Sequence, residues 1–184
     1  MSELPEPAWI LRALTSDHHV RVAALGAGPL WDGVRRGHPQ LEAGACAVLA
    51  QLLAATQLLQ SRNFFSERMQ LVLKTAGAAK AVVTDSWPDG GVRGMLDLEA
   101  DKAGAEWLRA PGLLQVMRSN PAGTPYIGKL DLVEGPLETQ IEAYLQQSEQ
   151  INASVSLWCD PSTGEGGACW WNPCLAALRS AWSS

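Results

Sequence analysis

What this chain lacks narrows its role first. It has no basic run: 14 Lys and Arg stand against 19 Asp and Glu in 184 residues, a formal charge of −5. A nucleic-acid surface needs clustered cations to displace the counterions of phosphate, so no nucleic-acid partner is expected. No uninterrupted apolar run reaches the ~18–20 residues of a bilayer-spanning helix, so no membrane partner is expected. The first residues, MSELPEPAW, are acidic and lack the cationic-then-apolar order of a signal peptide, and the expected compartment is the cytoplasm. Low charge is not low complexity here. Hydrophobic residues make up 47% and charged residues 18%, enough apolar side chain for one domain with its own core.

The motifs of catalysis are missing as well. There is no Walker A loop, no G-x-G-x-x-G, no G-x-S-x-G and no H-E-x-x-H. A small α+β enzyme would need convergent polar groups in a pocket, and the sequence names no candidates. Cysteine is sparse: Cys46, Cys159, Cys169 and Cys174, with no C-x-x-C spacing and no neighbouring histidine. Buried or incidental thiols fit this better than zinc ligands, so no metal and no cofactor are expected. Asp97, Glu99 and Asp101 alternate at a strand end and read as a solvated edge more readily than as a cation site. His18 and His19, as neighbours on a strand, would point to opposite faces and cannot form a ligand pair. Arg35, Arg36 and the pair Glu67-Arg68 read as surface charges.

What is present is periodicity. Residues 39–62 form the strongest helix, with Leu41, Ala45, Val48, Leu49, Leu52, Leu53, Thr56 and Leu59 on one broad face and alanines over much of the rest. Such a helix is buried or packs on a partner. A second helix spans 137–151, with Leu137, Ile141, Tyr144, Leu145 and Ser148 inward and Glu138, Glu142, Gln146 and Gln147 outward; Gly135-Pro136 sets its start. Alternation predicts strands over 19–25, 69–74, 79–84, 92–98, 113–117, 126–133 and 154–158. Trp87 to Gly91 is a turn joining two of them. Residues 9–14 read as a short helical piece in a mobile start, and 106–109 as a helical turn. The order of elements is α+β: a mostly antiparallel sheet with packed helices, in a single domain.

Five short strings then occur together in order: LAQLLAATQLL at 49–59, ERMQL at 67–71, DGGVRG at 89–94, PYIG at 125–128 and YLQQSEQ at 144–150. In this order the chain resembles the redox-regulated 33 kDa heat-shock chaperone family, over residues 10–158. The resemblance implies a core domain that holds unfolding clients on exposed apolar surface without ATP under stress, and that tends to form a homodimer. It implies no catalysis. It singles out Arg93, Gly94, Tyr126, Gly128, Tyr144, Ser148, Glu149 and Gln150 as family-motif positions with structural roles, Tyr144 as a core anchor and Glu149 as a local cap or bridge. In the family a separate C-terminal domain carries a Cys-x-Cys and a Cys-x-x-Cys that bind zinc when reduced and form disulfides when oxidised. None of the four cysteines here matches those positions, so the expectation is a chain without the zinc and redox-switch domain. One loop departs from the pattern: Thr75-Ala-Gly-Ala78 stands where the family has a Gly-Asp-Gly-Pro-like turn.

Past residue 158 the pattern fails. A turn over 160–167 leads into Cys169-Trp-Trp-Asn172, which fits no strand pattern by itself, where the family has a strand resembling Gly-Gly-Leu-Leu-Val, then Gln or Glu, then Pro-Leu-Pro. Cys-Trp-Trp-Asn is encoded TGY-TGG-TGG-AAY, and dropping two bases gives YTG-GTG-GAA, which is Leu-Val-Glu for every codon choice. The expected organisation is therefore a chaperone core over 1–158 and an aberrant tail over 159–184, out of frame from about 167. Two functional expectations follow: a holdase core binding unfolded or partly folded proteins, or a truncated, inactive remnant of that chaperone, made sticky by Trp170, Trp171 and Trp182.

Overall fold

The computed structural model describes residues 9–62, 67–99, 106–119 and 123–173. Asp101, Cys174, Trp182, loop residues 120–122 and the first eight residues lie outside the described residues. In chain order the elements are β1 (Ile10–Leu14), β2 (Val20–Gly26), α1 (Gly28–Gly37), α2 (Ala43–Gln60), β3 (Arg68–Lys74), β4 (Ala79–Ser86), β5 (Val92–Leu98), β6 (Leu113–Ser119), β7 (Tyr126–Asp131), α3 (Leu137–Glu149), β8 (Ser154–Cys159) and β9 (Gly166–Pro173). The class is α+β, and every strand pairing is antiparallel.

The strands divide between two sheets. One has the order β1-β2-β9-β8 and the other β5-β4-β3-β6-β7. Helix α2 lies between them and packs on strands of both. That position explains its composition: a helix with a sheet on either side has no wet face, so alanine and leucine replace charge all round. By length and composition α2 could cross a membrane, but 78% of it is buried inside this fold. One of its polar contacts is buried against a sheet. Thr56 Oγ1 bonds Leu52 O at 2.7 Å and meets Thr84 Oγ1 of β4 at 2.6 Å, which satisfies both hydroxyls in a dry interface.

Helix α3 packs on β7 and β8, the facing edge strands of the two sheets, and closes the side of the sandwich. Leu137, Ile141, Tyr144 and Leu145 are buried, as the spacing predicts. Glu138 and Glu142 are half-buried and not wholly on an outer face. Their carboxylates accept the backbone N–H groups of Leu157 (3.3 Å) and Val155 (2.8 Å) on β8. Four helical residues rise about 6 Å and two strand residues about 6.6 Å, so carboxylates at i and i+4 match alternate N–H groups of a strand edge.

Further sequence expectations need correction. Residues 10–14 form an edge strand paired with β2, not a helical piece, because the Thr15–Val20 turn folds them back. His18 and His19 sit in that turn, His18 with φ of 59°, and not on a strand. Residues 106–109 are no helical turn: the carbonyls of Glu106, Trp107 and Arg109 accept from Ala78, Ala79 and Ala76. The Thr75-Ala-Gly-Ala78 loop thus lies close against them, and a Cβ on Gly77 would stand 2.5 Å from the Glu106 and Trp107 carbonyl oxygens. Finally, Gly166–Pro173 is a strand, inserted between β2 and β8, with Trp170 buried and Trp171 exposed in ordinary alternation. Helix α1 was not foreseen. It starts with proline in its first turn and buries Leu30 and Val34 one turn apart.

Candidate functional site

Six of the eight motif positions meet where α3 ends against β7. The Tyr144 ring is fully buried and lies over Gly128, where a Cβ would come within 2.8 Å of the ring. Glycine is therefore what lets α3 sit this close to β7. The Tyr144 hydroxyl donates to Glu149 Oε1 at 3.0 Å. The other carboxylate oxygen pairs with Arg62 Nη2 at 3.2 Å, just beyond the end of α2. Arg62 in turn stacks over the Trp170 ring at 5.2 Å. Ser148 touches the Gly128 position and its carbonyl accepts the Tyr126 hydroxyl at 3.4 Å. Gln150 ends the helix in the left-handed conformation, φ 55°.

The electrostatics of this cluster are structural. Burial raises the Tyr144 hydroxyl pKa, and the neighbouring Glu149 carboxylate raises it further. Burial lowers the Arg62 pKa, and Glu149 opposes the shift. The phenol is held neutral and the guanidinium is held against a carboxylate. Sequence reasoning found Tyr144 and Glu149 but missed Arg62 and Trp170, which come from helix end and last strand.

The other two motif positions lie elsewhere. Arg93 on β5 donates to Asp85 Oδ2 at 3.1 Å, and Arg68 and Gln70 of β3 bond Oδ1 of the same carboxylate. Asp85 is 2% exposed, and Arg68 and Arg93 both stack on Trp87, at 5.2 and 5.5 Å. Arg68 is thus a partner of a buried carboxylate and not a surface pair with Glu67. Gly94 lets β5 approach α2: a Cβ there would meet Leu49 Cδ1 at 2.8 Å. The thiols of Cys46, Cys159 and Cys169 are free, and burial pushes the Cys159 thiol up to about 11. Among the described residues no group of three His, Cys, Asp or Glu is placed to hold a metal.

The surface feature that stands out is the outer face of the four-stranded sheet. Strand alternation brings Leu11 and Ala13 of β1, Val22 and Ala24 of β2, Cys169 and Trp171 of β9 and Trp158 of β8 to one side. Two glycines, Gly26 and Gly167, are paired neighbours in the same sheet, and Trp9 lies against one and Trp158 against the other. Trp9, Leu11, Trp158 and Trp171 are 49–58% exposed. Exposed apolar side chains are common singly, but contiguous groups mark contact surfaces.

A family model described as Hsp33 protein matches residues 9–169. The 33 kDa chaperonin of Lacticaseibacillus casei is 32% identical over 160 residues, 81% of this chain and 54% of that protein. That of Synechococcus elongatus is 27% identical over 156 residues, 80% and 52% of the two chains. The crystal structure of the 33 kDa chaperonin from Thermotoga maritima superposes with a TM-score of 0.73 at 24% identity, over 89% of this chain and 60% of that one, a likeness of fold. The chain spans about half the length of the curated relatives it matches.

Proposed function

The chain belongs to the Hsp33 protein family, and from that premise we propose that it is the core of an ATP-independent chaperone that holds unfolded or partly folded proteins. Its relatives are named 33 kDa chaperonins. The observation that carries the reading is the outer face of the β1-β2-β9-β8 sheet, where Trp9, Leu11, Trp158 and Trp171 stand about half exposed. A flat face of aromatic and aliphatic groups suits clients of no fixed sequence. Apolar burial is non-directional, at about 25 cal/mol per Å² removed from water, and each indole offers a large area. The proposed activity is binding without catalysis, in the cytoplasm, with a homodimer as the proposed assembly.

Light scattering of a denatured client tests this directly. The purified chain, at stoichiometric amounts, should suppress client aggregation equally under reducing and oxidising conditions. The pair Trp158→Ser and Trp171→Ser should abolish suppression while leaving circular dichroism unchanged. A chain that is soluble and folded yet leaves scattering unaltered overturns the proposal.

A second reading rests on a different observation. The forced Leu-Val-Glu in the shifted frame and a family match that ends at residue 169, inside β9, favour a tail out of frame from about 167. On that reading the product is a sticky remnant: β9 keeps strand form with non-family side chains, and Trp171 adds apolar surface. Resequencing the gene around the Gly167 codon decides the matter. A continuous frame running to an unrelated stop removes this reading.

A further inference from the structure

We propose that the open end of the four-stranded sheet, beyond the last turn of α2, is a binding site for a small multivalent oxyanion, a phosphate ester or a polycarboxylate. Helix α2 covers the inner face of this sheet but stops at Gln60, and a cavity of about 400 Å³ remains past its end. That volume lies within the range of small-molecule sites, roughly 300–1,000 Å³. Among the described residues the charged ones on its wall are Arg12, Arg21 and Arg62. They come from β1, β2 and the end of α2, so the fold and not the sequence brings them together.

The register places the first two. Arg21 is two residues from Ala23, which is 1% exposed, and so shares the inner face. Arg12 pairs with Ala23 across the hairpin and takes the same side, diagonal to Arg21 at a spacing of about 7–8 Å. Among the described residues neither Arg12 nor Arg21 has a carboxylate partner, although acidic residues outnumber basic ones in the chain as a whole. Arg62 is held in place by Glu149 on one side and the Trp170 ring on the other. One carboxylate thus answers three guanidinium groups, which leaves the cavity with a net positive lining.

The end of a helix normally disfavours anions, because its last carbonyls carry partial negative charge. Here three of them, those of Gln57, Leu58 and Leu59, are already occupied. Ser61 N bonds Gln57 O at 2.9 Å, Arg62 N bonds Leu59 O at 3.1 Å, and Ser61 Oγ bonds Leu58 O at 2.7 Å. Even with Arg62 offset by Glu149, the two unpaired guanidinium charges of Arg12 and Arg21 outweigh a residual partial charge, and a low-dielectric floor of Ala23 and Trp170 focuses their field. Guanidinium forks match oxyanions in geometry, and two spaced forks favour a ligand with two anionic groups.

Isothermal titration of the purified full chain at low salt tests this, with inorganic pyrophosphate and citrate as the two probes. At least one should bind, with affinity falling as salt rises. Arg12→Gln and Arg21→Gln, on exposed strand positions, should each weaken binding about tenfold or more, from loss of a charge-assisted hydrogen bond. Arg21→Lys should weaken it less, since it keeps charge and loses the fork. Arg36→Gln, on the exposed end of α1, should bind as the parent does. Binding by neither probe, or binding that survives the Arg12 and Arg21 double substitution in a protein with parental circular dichroism, overturns the proposal.

Discussion

Replacing Glu149 by leucine should destabilise the chain by about 3 kcal/mol, because it strands a charge. Glu149 and Arg62 are 3.2 Å apart, with side chains only 12% and 14% exposed. At an effective dielectric near 20, that separation corresponds to about 5 kcal/mol of attraction. Desolvation of each ion costs several kcal/mol, so the intact pair contributes little net. Removing one member leaves the other's desolvation uncompensated, an effect of ~3–5 kcal/mol. The Trp170 ring, 5.2 Å from the Arg62 guanidinium, offsets about 0.5–2 kcal/mol of that. For a domain of this length about 3 kcal/mol corresponds to a drop of roughly 6–12 °C in Tm. The assay is a thermal-melt cycle of Glu149→Leu, Arg62→Met and the double variant. The double variant should be more stable than the sum of the singles by at least ~1 kcal/mol, since no charge is left alone. Tyr144→Phe removes only one donor from Glu149 and should cost about 1–2 kcal/mol. Strict additivity in the cycle, or a Glu149→Leu melt within ~2 °C of the parent, would refute the buried-charge reasoning.

Gly128→Ala should lower stability by ~1–3 kcal/mol in urea titrations, because the new methyl meets the Tyr144 ring; at an open strand position the same change would stabilise. Alkaline pH should destabilise the fold. The folded Cys159 thiol is pushed up to about 11 and the folded Tyr144 phenol is also raised, so both contribute stability that is full below their unfolded pKa values. That stability is lost as pH rises from about 9 through 11, and Cys159→Ala should remove the lower part of the profile in pH-dependent melts. Glu142→Leu should speed amide exchange at Val155, whose N–H loses its acceptor, while amides of β3 in the other sheet exchange as before.

Parts of the fold were legible because they rest on local period. Helices α2 and α3 show their buried faces in spacing, and most strands show alternation. What the period cannot state is which strand lies beside which. Alternation told that Arg21 and Ala23 share a face, but not that Arg12 lies diagonal to Arg21 or that Arg62 comes to the same place. The same gap misplaced Glu138 and Glu142. Carboxylates at i and i+4 read as a wet stripe until the β8 edge is known to lie beneath them. Helix α1 escaped notice because Gly28, Gly33 and Gly37 weaken a short helical pattern, although Pro29 and the Leu30/Val34 pair were a usable signal. In β9 two adjacent tryptophans look unlike a strand, yet neighbours on a strand face opposite ways, and one is core while the other is surface. Of the motif network, Tyr144 and Glu149 were close in sequence and visible; their partner Arg62 was not.

The place of β9 has a consequence in time. It pairs with β2, from which it is separated by about 140 residues, and it stands in the interior of its sheet. A chain emerging at about 5–20 residues per second makes β2 on the order of 10 s before β9 exists. Through most of that interval β2 has only β1 beside it, because β8 too is made just before β9, and α2 lacks the Ala168 and Trp170 side chains that cover part of it. The outer apolar face does not exist either, because Cys169 and Trp171 supply its middle. Much of the synthesis therefore passes with part of the core uncovered, and the arrival of β9 both closes that core and completes the outer apolar face.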